Sequence, residues 1–465
     1  MLPRLRTISC CALALCLISG CHRGVKHQLS AVSHFDQGAP VAALAALDKA
    51  AELRGAEQEI IATDRAIAAL MTGDPATCEA PLRKTRDRLN FLRQTDLREK
   101  TRAIVTDDKA VAWSGREFEQ RMIDNLLILS SLMGNRQDAF AFANQAMEHV
   151  FEDRSTLLPT NAEGHSVKTV GHSELPEQRP TARYSANAFS AYLHAGIRSE
   201  NPMDQDITAN AIRQVGFWNP GPNQSEPSGF GTLSPRGQGV VHVITFVGRV
   251  TDWTAERSIP TTSALLLADQ ILSAVGDHTV PPTVAPVQIA KPVAAFSPQP
   301  LVTRARVAGR QERVSATLVD LNQAAHDSYV ANRDQQIARA VARRVVKKGA
   351  IYAAKEQLAV AGGSGADIVL NLGGIAWEAL EKADTRHLQL LPARIEVLQL
   401  TLPAGLHQLE LSSGAAGERG GKPTEVRVPV IVDDGRNTFV LCFRPHDQLA
   451  GNILTSDGTP PVQLQ

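Results

Sequence analysis

EFEQRMIDNLLILSSLMGNRQDAFAFANQAMEHVF, residues 117–151, is the stretch on which the reading of this chain turns. Phe118, Met122, Leu126, Leu129 and Met133 recur every three or four residues, which makes one apolar helix face. Gly134-Asn135 interrupts that face, and glycine reaches the left-handed backbone that commonly ends a helix. The run DAFAFANQAMEHVF then predicts a partner helix, with Ala139 and Ala146 on the side where a neighbour approaches closely. The unit is a helical hairpin.

The same spacing occurs twice upstream, as Gly38, Ala43, Ala50 and as Gly73, Cys78, Thr85. Gly38 and Gly73 stand 35 positions apart (73 − 38), close to the roughly 34-residue period of tetratricopeptide repeats. The step from Gly73 to Gly134 is 61 (134 − 73), so a repeat there is divergent or missing. The consensus aromatics of the repeat are mostly absent. YSANAFSAYLHAGI and ITANAIRQV predict one more pair of helices, joined near Asn201-Pro202. A tetratricopeptide-like helical domain is expected over 33–215.

After it the pattern changes. Residues 216–239 are rich in Gly and Pro, which excludes regular structure. GVVHVITFVGRV is apolar and β-branched and predicts a buried strand. Pro260 to Val275 predicts a helix, and the proline-rich 280–300 a linker or an edge segment. LVTRARV and ERVSATLV alternate and predict an antiparallel pair. Residues 318–357 and a stretch ending near Lys382 predict a helical pair inserted at about 318–382. Its first member is basic through Arg333, Arg339, Arg343, Arg344, Lys347, Lys348 and Lys355. That basic face reads either as a contact for anionic lipid or as a solvated surface. IEVLQLTL and LHQLEL flank Pro403-Ala404-Gly405, and TEVRVPVIV and NTFVLCF flank Asp433-Asp434-Gly435-Arg436. Both arrangements predict hairpins, the second through Asp-Gly turn chemistry. The expected fold class is α+β: tetratricopeptide-like helices, then a mixed domain over 216–465 with antiparallel hairpins and the basic helical pair.

The N-terminus carries an address. Arg4 and Arg6 precede a short apolar run, and Ile18-Ser19-Gly20-Cys21 reads as a lipobox. The run is too short for a membrane span, which needs about 20 apolar residues, and it has the layout of a secretory signal. Small Ser19 and Gly20 give a peptidase access, and the Cys21 thiol accepts lipid. More than one acyl chain gives stable anchoring. Residues 1–20 are thus expected as a signal peptide and 21–32 as a tether. His22 stands where Asp would signal retention in the inner membrane, so the expected location is the outer membrane, facing the periplasm. Removing Arg4 and Arg6 leaves 46 of 48 basic residues against 48 acidic ones, so no strong positive field invites nucleic acid. Cys78 and Cys442 are the cysteines beyond Cys21. They could pair or stay as buried thiols.

The order of these parts, and above all ADTRHLQLLPARIEVLQLTLPAG at 383–405, resembles a family of uncharacterised bacterial envelope lipoproteins. Asp384, Arg386, Leu391, Pro392, Pro403 and Gly405 carry the resemblance, while Leu388 stands where that family commonly has Trp. The resemblance implies an envelope location and this architecture, and no catalytic residues.

HExxH, GxSxG, SxxK and a paired CxxC are absent. His165 and His172 lack accompanying ligands at metal spacing. Asp384-Thr385-Arg386-His387 is the densest reactive set, and it precedes a strand, where such groups usually fix a turn. No catalytic residue, metal or cofactor is assigned. The expectation is a non-enzymatic interaction protein, lipid-anchored, that holds another envelope protein on the concave face of its helices. A glycan- or wall-binding accessory role and a cryptic hydrolase are the alternatives.

Overall fold

The structure is a computed structural model. It describes residues 26–53, 57–94, 112–157, 182–219, 236–275, 285–293, 301–357, 383–415 and 425–464. The lipobox and Cys21, the loop histidines and the second member of the basic pair lie outside the described residues. The fold is α+β.

The helices come as four consecutive hairpins. α1 (26–36) turns at Gly38 into α2 (Pro40–Ala51). α3 (Gln58–Met71) turns at Gly73 into α4 (Glu79–Gln94). α5 (Glu117–Met133) and α6 (Ala139–Thr156) form the third, α7 (Ala186–Arg198) and α8 (Gln205–Trp218) the fourth. Gly38 and Gly73 adopt φ of +70° and +85°, and each turn is closed by backbone bonds that satisfy the last carbonyls of the helix. The third turn departs from expectation. Gly134 has φ −89°, and Arg136 takes the left-handed position at +61° while its N–H closes on the Ser131 carbonyl at 2.7 Å. Ala43, Ala50, Cys78, Thr85, Ala139 and Ala146 are all buried. Of the expected tether over 21–32, the described part, 26–32, is helical, and Ala31 and Phe35 sit in the core.

The β part forms two stacked sheets. The larger has the order β12-β11-β10-β1-β7-β6 and the smaller β5-β4-β8-β9. β1 (Gln238–Val247) lies in the middle of the larger sheet, antiparallel to β7 (Arg394–Pro403) and parallel to β10 (Asn437–Arg444). Side chains alternate across a strand, and here both faces are covered. Ile244, Phe246, Ile395, Val397, Phe439, Leu441 and Phe443 pack against the helices. Val241, Val243, Leu398, Leu400, Leu402, Val440 and Cys442 pack against the smaller sheet. The layers therefore run helices, six-stranded sheet, four-stranded sheet. One apolar core spans the expected boundary at 215/216, from Ala31 to Leu454.

Two expected hairpins are corners. β7 ends at Pro403, and β8 (Gly405–Ala415) starts in the other sheet. β9 (Val426–Val432) pairs with β8, whereas β10 pairs with β1. The alternation of each strand is satisfied by the shared inter-sheet core, so it carries no information about which neighbour it bonds. β4 (Leu301–Val307) and the short β5 (Arg313–Val314) do pair, and β6 (Ala316–Asp320) then crosses to β7. β11 (Ala450–Thr455) and β12 (Val462–Gln463), which the sequence pattern did not announce, extend the larger sheet beyond β10.

β2 (Trp253–Ser258) and β3 (Val287–Pro292), the latter expected as linker or edge, form a separate ribbon. α9 (Thr262–Val275) and α10 (Leu321–Gln357) pack beside it. α10 begins after β6, three residues later than expected. Its described basic residues divide: Arg339 is exposed, while the others turn toward the protein. Arg333 donates to Ser258 Oγ (2.9 Å), Arg344 to the carbonyls of Ala285 and Pro286 (2.9 and 3.0 Å), and Arg343 is buried. Cys78 and Cys442 are separate buried thiols, and burial pushes both up to about 12.

Candidate functional site

Two places concentrate polar chemistry. The first is the segment 383–393 that leads into β7. Asp384 accepts from the Arg386 backbone (3.1 Å) and from its guanidinium (2.7 and 2.8 Å), so this pair folds on itself. His387 sets Nδ1 3.0 Å from the Thr385 carbonyl and Nε2 3.4 Å from Asp252. Hydrogen bonds from His387 and then Arg249 hold the Asp252 carboxyl well below the usual carboxylate range. Leu391 accepts from the Val250 N–H at 2.7 Å, and both Leu391 and Pro392 are buried.

The segment is pinned by two buried carboxylates from the helices. Leu388 N–H donates to Glu119 Oε1 (2.8 Å), while Gln389 and Leu390 N–H donate to Asp64 Oδ1 (3.1 and 3.0 Å). Glu119 Oε2 also caps its own helix through the Arg116 N–H at 2.6 Å. Arg116 lies 3.5 Å over the Trp253 ring and donates to the Arg386 carbonyl at 2.9 Å. Burial pushes the Asp64 carboxyl up to about 7, against the pull of its two backbone bonds. The groups that looked reactive in sequence are spent on a clamp that fixes helix layer to sheet. Asp64 and Glu119 were missed by the sequence reading. Their signal was a carboxylate on an otherwise apolar helix stripe, Ile60-Asp64-Ile67 and Glu119-Met122-Leu126.

A second clamp joins the two sheets. Arg444 and Glu396 are almost fully buried and meet at 2.8 Å, and Glu396 also accepts from Ser315 Oγ (2.6 Å) and the Thr303 N–H (3.2 Å). Pro403 and Gly405 are exposed at the corner at the far end of β7. At about 3.3 Å per residue, that corner is roughly 30 Å from the pinned segment.

The second polar place is a groove on the outside of the helix layer, between α6, α7 and α8. Asn144, Met147, Glu148, Phe151, His194, Ile207 and Asn210 line a volume of about 190 Å³. Phe151 and Ile207 are each 42% exposed, and Phe140 and Met203 are exposed on the same outer helices and turn. His194 is buried, with Nε2 3.2 Å from Asn144 Oδ1. That oxygen also accepts from Arg198 (2.8 Å), which makes it an acceptor and leaves the histidine proton on Nε2. Burial, helped by Arg198, lowers the His194 pKa to about 4, so the ring is neutral at pH 7. Nδ1 is then an acceptor, and it has no hydrogen-bond partner. Leaving a buried acceptor unmet costs on the order of 1–3 kcal/mol. The groove thus offers apolar walls, and the unmet Nδ1 is enclosed rather than open to it.

The expected concave binding face is not open. α5 buries 15 of its 17 residues and packs, with α3 and α7, towards the sheet. The repeat turns also dock on the sheet: Asn452 donates to the Thr72 carbonyl (2.7 Å), and Arg136 to the Asn437 carbonyl (3.2 Å). Among the described residues no helix is long and apolar enough to cross a membrane, and no three His, Cys, Asp or Glu side chains converge as metal ligands. No family model, curated protein or solved structure matches this chain.

Proposed function

We propose that this chain is a lipid-anchored envelope lipoprotein that holds another protein and carries out no chemistry of its own. The lipobox at Ile18-Ser19-Gly20-Cys21 and the resemblance at 383–405 support anchoring in the outer membrane on the periplasmic side. The groove between α6 and α8 carries the binding half of the reading. Its inner counterpart is filled by the chain's own sheet, while Phe140, Phe151, Met203 and Ile207 remain outside. Aromatic and apolar anchors around a pocket are the usual centre of a protein interface. Apolar walls with Asn144, Glu148 and Asn210 beside them favour a partner segment that presents an apolar side chain with one N–H or O–H donor, as tryptophan or tyrosine does.

The test is site-specific photo-cross-linking in the native cells. A benzophenone amino acid replaces Phe151 or Ile207, with Leu406 on the opposite sheet as control. One discrete protein adduct from positions 151 and 207, absent from 406, is the expected result. No adduct, or the same adducts from all three positions, removes the groove as the binding site.

A further inference from the structure

We propose that the folded body is seated directly on the lipid leaflet through the outer face of α1, with no stalk between anchor and body. The inference rests on the lipoprotein reading of Cys21. With lipid on Cys21, residues 22–25 are all that separates the anchor from Lys26, the first described residue and already within α1. Five residue steps reach at most about 18 Å even when fully extended. α1 cannot lengthen that reach by swinging out, because Gln28, Ala31 and Phe35 are buried and tie it to the core of the molecule. The short link therefore presses a defined surface against the bilayer.

That surface has suitable chemistry. Lys26, Leu29 and Ser33 are exposed at positions i, i+3 and i+7 of α1, which places them on one face. Leu29 is 60% exposed, an apolar side chain that water covers poorly. A leucine beside an ammonium group suits the boundary of an anionic leaflet, where the chain enters the interface and the charge stays among headgroups. α1 belongs to the first hairpin, and the outer groove lies between the second helices of the third and fourth.

The experiment uses the acylated full-length chain in phosphatidylethanolamine–phosphatidylglycerol vesicles containing a nitroxide lipid. A fluorophore is placed at Leu29→Cys or, in a second protein, at Leu406→Cys. The thiols of Cys78 and Cys442 are buried and do not compete for the label. Mass spectrometry of the N-terminal peptide comes first. Absence of acyl groups on Cys21 would sink the lipoprotein reading itself. With acylation established, strong quenching at position 29, none at 406, and recovery at 29 when a long Gly-Ser spacer follows residue 22 are expected. No quenching at 29, equal quenching at both sites, or quenching unchanged by the spacer would overturn the seating.

Discussion

α5 and α6 are two arms of one hairpin, yet they have opposite fates. α5 buries 15 of 17 residues, including Glu119, Arg121 and Asp124, whereas α6 buries 6 of 18. In an open repeat stack the inner arms line the surface that meets a partner. Here the inner arms meet the chain's own six-stranded sheet, and polar groups on them act as internal clamps. On the proposed reading, binding falls to the outer arms. The difference teaches that a repeat pattern predicts how helices stack and leaves open which face stays available.

The comparison breaks most sharply at Glu119. Glu119→Ala takes the acceptor from two backbone donors, Leu388 N–H and Arg116 N–H, at a buried site. Each unmet donor costs about 1–3 kcal/mol, so a loss of roughly 2–5 kcal/mol in denaturant unfolding is expected. A loss under about 0.5 kcal/mol, typical of surface substitutions, would mean that the segment 388–390 is not held by the inner arm.

Acidity separates the groove from the clamp by sign. The folded His194 pKa is lowered to about 4 from 6.5, so the unfolded chain binds the extra proton first. Stability from this group is present above pH 6.5 and is lost as pH falls towards 4, by about 3 kcal/mol at about 1.4 kcal/mol per unit. The folded Asp64 pKa is raised to about 7 from 3.8. Its contribution is present below 3.8 and is lost as pH rises through 7. His194→Gln should therefore soften the acid loss between pH 6.5 and 4, and Asp64→Asn should soften the loss between 3.8 and 7. Melting curves across pH 4–8 that tilt the same way for both variants would contradict these assignments.

Part of this was legible beforehand. Helix spacing located α5, α6, α7 and α8, and the β-branched run located β1. The corners after Pro403 and Val432 were not legible, because β7, β8, β9 and β10 all turn their apolar residues into layers packed on the two sheets. Period-two alternation says which face is buried and nothing about the bonded neighbour. The parallel pairing of β1 with β10 joins residues nearly 200 positions apart and leaves no local trace. The clamp was half visible: Asp384-Thr385-Arg386-His387 stood out as reactive, while its holders Asp64 and Glu119 looked like ordinary helix charges.

Small residues sharpen the comparison on a gentler scale. Ala146 lies in the buried stripe of α6, 1% exposed, among the packed helices. Ala146→Phe adds a ring where no room exists, and overpacking of this kind costs about 1–3 kcal/mol. The expected readout is a lowered denaturation midpoint with an unchanged slope. An unaffected midpoint would mean that α6 is loosely held, and its groove would then be a poor template for a partner.

The smallest effect on stability carries the largest functional weight. Phe151 is on the same helix, and its 42% exposure places it on the outer side. Phe151→Ser should change stability by no more than about 0.5 kcal/mol, as surface substitutions do. It should nonetheless abolish the adduct formed from position 207, because it removes one wall of the groove. Stability lost together with binding would make Phe151 a packing residue, and the two arms would then differ in degree of burial alone. Binding lost with stability kept separates them in kind: the inner arm spends its side chains on holding the fold, and the outer arm keeps its own for a partner.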